Sequence, residues 1–144
     1  MRNWVLIVAL ALTGCVDQRE RPDGDDEVYT IENDGGGQVI SAIADWNRLH
    51  DWGGPVEIRG YCNSACTIFA SLPNACLAPE SRYGFHSASI AGVPAPHINL
   101  MLRQFYRGEI RDRFDDDWSD STDLTRISVV EFKQLDPEVR LCDE

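Results

Sequence analysis

The chain has 144 residues, 24 of them acidic and 13 basic, for a formal charge of −11. Its arginines are scattered and Lys133 is the only lysine, so no basic stripe exists to neutralise phosphates, and nucleic acid is excluded as a partner. The same charge repels anionic lipid, which leaves an attached acyl chain as the one membrane contact.

The first element is a short apolar run. Met1-Arg2-Asn3 precedes about nine apolar residues, Trp4 to Leu12, which is the layout of a secretory signal. A bilayer-spanning helix needs roughly 20 such residues, so the run is too short to be one. It ends in Leu12-Thr13-Gly14-Cys15, which resembles the lipobox of bacterial lipoproteins. That resemblance implies cleavage before Cys15 and diacylglycerol on its thiol; an ordinary secretory signal containing Cys15 is the alternative. Val16 stands where an aspartate would mark inner-membrane retention, which favours the outer membrane of a bacterial envelope. Residues 1–14 are then a signal peptide. Residues 15–27, rich in Asp, Glu, Arg and Gly, are a lipidated tether with too little apolar surface to offset the entropy of ordering. Residues 28–144 form one folded domain.

Val28-Tyr29-Thr30-Ile31 reads as a strand from its β-branched and aromatic residues. Asn33-Asp34-Gly35-Gly36-Gly37 is a turn, and Val39, Ile43 and Trp46, with Ile40 and Leu49 beside them, predict a helix over 38–49. The order then repeats. Residues 56–61 form a second strand, Asn63-Ser64 a turn, and residues 65–72 a short buried helix. A third strand region covers Leu77-Ala78 and Tyr83-Gly84-Phe85-His86. A long helical stretch follows, with Ile98, Met101, Leu102, Phe105 and Ile110 on its apolar side and Asp115-Asp116-Asp117 at its close. A final short helix spans 129–134 and Pro137 stops it. Repeated strand–turn–helix units imply an α/β fold with a parallel sheet, and its functional groups gather beyond the C-terminal strand ends.

Without Cys15 four cysteines remain, Cys62, Cys66, Cys76 and Cys142, enough for two disulfides in an oxidising compartment. Cys66 with Cys76 is the preferred pair, across a helix that turns back on itself. Cys62 and Cys66 are also spaced like half a metal site, but two further good ligands are lacking.

Gly36-Gly37, Ser64 and His86 all fall at predicted strand ends. A serine hydroxyl needs a base to become a nucleophile, and His86 is the candidate. The Ala65 amide at a helix start, and a second amide from Gly36 or its neighbour, would face the oxyanion of an attacked carbonyl. Taken singly, Ser64 is an N-cap, His86 a structural histidine and the glycines a common connection; their order joins them. His50 and His97 are further bases with no nucleophile nearby in sequence.

The ordered segments Asp34-Gly35-Gly36-Gly37-Gln38-Val39, Gly60-Tyr61-Cys62-Asn63-Ser64-Ala65-Cys66 and Tyr83-Gly84-Phe85-His86 resemble the ClpP/crotonase superfamily, in particular its exported ClpP-like serine proteases. The resemblance spans roughly residues 28–89. It implies a ClpP/crotonase-like parallel sheet of repeated β-β-α/β-α units, with Ser64 as nucleophile, His86 as base and Gly36 and Ala65 amides as oxyanion donors. Asp123 best fits the family's acid, with Asp120 and Asp117 competing; read alone, the acidic run is a solvated surface. The domain is shorter than the family's and lacks an early strand–helix unit, which implies an exposed sheet edge that another copy or a partner covers. The implied activity is a serine peptidase on peptide or protein substrates, with no metal and no organic cofactor. The rivals are a non-catalytic binding or assembly module and, more remotely, crotonase-like thioester chemistry.

Overall fold

The computed structural model describes residues 27–144. The signal, Cys15 and all but the last residue of the tether lie outside them.

Strand β1 (Tyr29–Asp34) buries Ile31 and runs into the glycine turn. Helix α1 (Val39–Trp52) follows; Leu49 is buried, and Val39, Ala42, Ile43 and Trp46 lie half-buried against the core. Gly53 ends it in the left-handed conformation, its amide returning to the Leu49 carbonyl. Strand β2 (Val56–Asn63) is central, with Val56, Ile58 and Cys62 buried and the alternation interrupted at exposed Gly60. Next comes a 3₁₀ helix, Ser64–Ser71, in which Ala65 to Ala70 are all buried. Its length is unusual for that tight geometry. The Ser71 hydroxyl supports it by donating to the carbonyl three residues back, and Thr67 does the same.

Strands β3 (Ala75–Leu77) and β4 (Arg82–Phe85) lie in series along one side of β2. A hairpin of β5 (Ser89–Ile90) and β6 (Val93–Pro94) leads to α2 (Pro96–Leu102). Helix α3 (Gly108–Arg113), strand β7 (Thr125–Ser128) and helix α4 (Val129–Leu135) complete the chain. Ser128 caps α4 by accepting from the Glu131 amide.

The fold is α/β with a mostly parallel sheet in the order β1-β2-β4-β7. β1, β3 and β4 each pair with β2 in parallel, whereas β7 pairs with β4 antiparallel. Strand β7 has no clear signal in the sequence, because Thr-Arg-Ile-Ser carries a single buried apolar side chain, Ile127. Among the described residues nothing pairs with the outer edge of β1.

Two further expectations are corrected. The stretch after residue 96 is not one helix. Tyr106 adopts an extended conformation (ψ 143°) and buries its ring against Phe85 and Phe114, ending the first segment. Gly108 restarts the helix at φ 51°, so close to the Leu135 carbonyl that a β-carbon would stand 2.6 Å from its oxygen. The disulfides are Cys62–Cys66 and Cys76–Cys142, not Cys66–Cys76. The 3₁₀ helix folds Cys66 back onto the end of β2. The C-terminal segment meanwhile runs alongside β3, with Leu141 opposite Leu77 and the Cys142 amide bonded to the Leu77 carbonyl, which sets Cys142 beside Cys76. Two disulfides suggest an oxidising compartment. Among the described residues no helix is long and apolar enough to cross a membrane.

Candidate active site

The pairing of β2 with β4 sets Asn63 opposite Gly84, so Ser64 and His86 leave adjacent parallel strands at the same end of the sheet. Both line one cavity of about 760 Å³. Its walls are apolar: Val39 and Ile40 from the start of α1, Ile90 from the hairpin, Ile98 and Met101 from α2.

Ser64 is in the left-handed region (φ 56°), directly after an extended Asn63. Non-glycine residues avoid that region because the β-carbon crowds the carbonyl, so the conformation has to be held from outside. Three contacts hold it. The Cys62–Cys66 bridge spans it. Thr67 Oγ1 donates to the Ser64 carbonyl at 2.7 Å; its one proton being used there, Tyr106 Oη donates to Thr67 in turn, at 2.8 Å. Burial pushes the Tyr106 phenol far above its ordinary range, with the Thr67 hydrogen bond a smaller opposing effect, so it stays a donor. Gly36 packs on the turn from the other side. A β-carbon there would stand 2.6 Å from the Asn63 oxygen, 2.8 Å from Ser64 Cβ and 3.0 Å from the Ala65 nitrogen.

His86 Nδ1 lies 2.6 Å from the Ser87 carbonyl oxygen. A carbonyl only accepts, so Nδ1 donates to it, and in the neutral ring that tautomer leaves the lone pair on Nε2. The Ser87 segment is itself fixed. Its amide donates to the Ser121 carbonyl, and buried Asn99 receives the Ala88 amide and donates to Ser87 Oγ. Among the described residues no hydrogen bond joins Ser64 to His86 directly.

The expected acid is placed differently from the base it was to serve. Asp123 is exposed, and its amide, not its carboxylate, is engaged, donating to Ser121 Oγ. Asp117 and Asp120 are exposed as well, and none of the three bonds to His86. The group at Nδ1 is a backbone oxygen instead. The Gly36 amide is also turned away, donating to Asp34 Oδ1 at 2.7 Å in a turn closed by a short carboxylate. Gly37, the next residue, lines the cavity at φ 147°. The Ala65 amide precedes the first one that the 3₁₀ helix uses, and so lacks an intrahelical acceptor.

His97 lines the cavity opposite the strand ends, while His50 stacks on Trp46 and faces Asp51 outside it. All four remaining cysteines are in disulfides, so none is a thiolate ligand. Sequence reading missed the Ser87 carbonyl and Asn99. For the carbonyl no sequence signal exists; for Asn99 the signal is a polar residue between Ile98 and Leu100-Met101 in an apolar stretch of the helix.

No family model matches the chain, and no curated protein matches it in sequence.

Proposed function

We propose that the protein is a serine hydrolase, a peptidase of the bacterial envelope that acts beside an apolar side chain. The observation that carries this reading is the convergence of Ser64, held at φ 56°, and His86, held by Ser87, on one cavity. Ser64 Oγ attacks the scissile carbonyl while His86 Nε2 takes its proton. The C–N bond then breaks as that proton passes to the leaving amine, and water releases the acyl group by the same steps reversed. The oxyanion is met by the Ala65 amide and by Gly37 in place of Gly36. The Ser87 carbonyl replaces a carboxylate in fixing the tautomer, which makes the catalytic unit a Ser64–His86 dyad. The reading requires Ser64 Oγ and His86 Nε2 to meet once substrate binds, as apo sites often lack the catalytic hydrogen bond.

The same proposal includes a shortened ClpP/crotonase-like fold, with the glycine turn, the turn at Ser64 and the strand before His86 in the family's order. It also includes attachment through Cys15 to the periplasmic side of the envelope, and another copy or partner at the β1 side of the sheet. Labelling of the purified protein with a fluorophosphonate, followed by peptide mapping, tests the activity. Modification is expected on Ser64 and is lost in Ser64→Ala; equal labelling of that variant removes Ser64 from the role.

A second reading, a non-catalytic binding module, draws on the Gly36 amide being committed to Asp34 and on the missing Ser64–His86 bond. Under it, neither protein is labelled at residue 64.

A further inference from the structure

The Cys62–Cys66 bridge closes across a separation of four residues, with Ser64 at its midpoint. Its two ends are anchored in different elements. Cys62 is locked in the sheet, opposite Asp34 on β1 and Tyr83 on β4, and is fully buried. Cys66 lies in the first turn of the 3₁₀ helix and is 1% exposed. The covalent ring therefore ties strand to helix across the one residue between them that takes a left-handed backbone. Closing so short a loop removes far less freedom from the unfolded chain than the Cys76–Cys142 bridge, whose ends are 66 residues apart. The short bridge thus adds less to global stability than the long one, and it has a local consequence besides. Without the bridge, the Thr67 hydrogen bond and the Gly36 contact alone are left to hold Ser64 at a positive φ.

We infer that the Cys62–Cys66 disulfide is a positioning element for catalysis, holding Ser64 in the left-handed conformation that presents hydroxyl and oxyanion donor together. This rests on the hydrolase reading of Ser64, and the test separates the two. The oxidised full chain is compared with Cys62→Ala/Cys66→Ala and with Cys76→Ala/Cys142→Ala. Fluorophosphonate labelling rate per folded molecule is one readout; the Ser64 backbone conformation, from carbon shifts and the amide–α coupling in NMR, is the other.

In Cys62→Ala/Cys66→Ala the labelling rate is expected to fall by about tenfold or more, since misplacing a reacting group by about 1 Å costs on the order of a hundredfold. The left-handed signature at Ser64 disappears with it. The Cys76→Ala/Cys142→Ala protein, although the less stable variant, labels at the wild-type rate below its melting temperature. Labelling within twofold of wild type together with a retained left-handed signature overturns the inference. If the wild type itself is not labelled, the hydrolase reading fails, yet NMR still decides the positioning: loss of the signature supports it and retention overturns it. Should Cys62→Ala/Cys66→Ala fail to fold, Ser64→Gly is added to it, because glycine takes a positive φ without steric cost. Recovery of folding supports the inference, and no recovery overturns it.

Discussion

Gly36→Ala tests the packing of the glycine turn on the nucleophile segment. The new β-carbon would stand 2.6 Å from the Asn63 oxygen, 2.8 Å from Ser64 Cβ and 3.0 Å from the Ala65 nitrogen. These are backbone atoms and the first side-chain carbon of a bridged turn, so no flexible side chain can swing aside. Relaxation has to move the chain, and overpacking of that kind costs about 1–3 kcal/mol. Gly36 also sits at φ 88°, which burdens an alanine by roughly 1–2 kcal/mol. The sum is about 2–5 kcal/mol, a large share of the roughly 5–15 kcal/mol that holds a domain folded. Activity falls for a second reason. The new methyl group would stand 3.0 Å from the Ala65 nitrogen, crowding the amide that the proposal assigns to the oxyanion. Gly35→Ala is the control, since its β-carbon meets nothing within 4 Å and its φ is not positive, so its effect stays within about 0.5 kcal/mol. Urea unfolding followed by circular dichroism gives the stabilities, and fluorophosphonate labelling the activities. If Gly36→Ala unfolds within about 0.5 kcal/mol of Gly35→Ala and labels at the wild-type rate, the contact and the site built on it are both wrong.

The two bridges contribute unequally to stability. Removing Cys76–Cys142 as a double alanine variant is expected to cost on the order of 4 kcal/mol, against roughly 2 kcal/mol for Cys62–Cys66, as read from urea midpoints. Arg107→Met is expected to destabilise by about 3 kcal/mol or more, because the Asp136 side chain, 5% exposed, loses the guanidinium 2.9 Å away; a loss under about 1 kcal/mol refutes this. Burial raises the Tyr83 and Tyr106 phenols, so the folded chain keeps protons that the unfolded chain releases above about pH 10. Stability is therefore full below that pH and falls as the pH climbs toward the folded-state values. Tyr106→Phe should flatten the decline in urea midpoint between about pH 9.5 and 11, and an unchanged slope counts against the assignment.

The alternation of strand, turn and helix was legible because its causes are local. Val28 to Ile31 and Val56 to Tyr61 favour extended chain through β-branched and aromatic side chains, and the glycines after Asp34 and the Asn63-Ser64 turn interrupt it. Ser64 and His86 were legible as candidates for the same reason, since each stands at or just past the end of a run that reads as strand. Nearest-neighbour sterics write such signals into a few consecutive residues.

What the chain could not announce was which distant segments meet. The pairing of Asn63 with Gly84, the antiparallel β7, and the C-terminal segment that delivers Cys142 to Cys76 depend on contact free energies between residues far apart in sequence. The break at Tyr106 follows from a ring that finds its place only between Phe85 and Phe114. The partner of His86 is a main-chain oxygen, a group that every residue carries and no residue type advertises. The sequence thus decided the local backbone and the inventory of reactive groups. Tertiary packing decided their pairing, because a hydrogen bond or a disulfide is selected by distances that exist only once the core has closed.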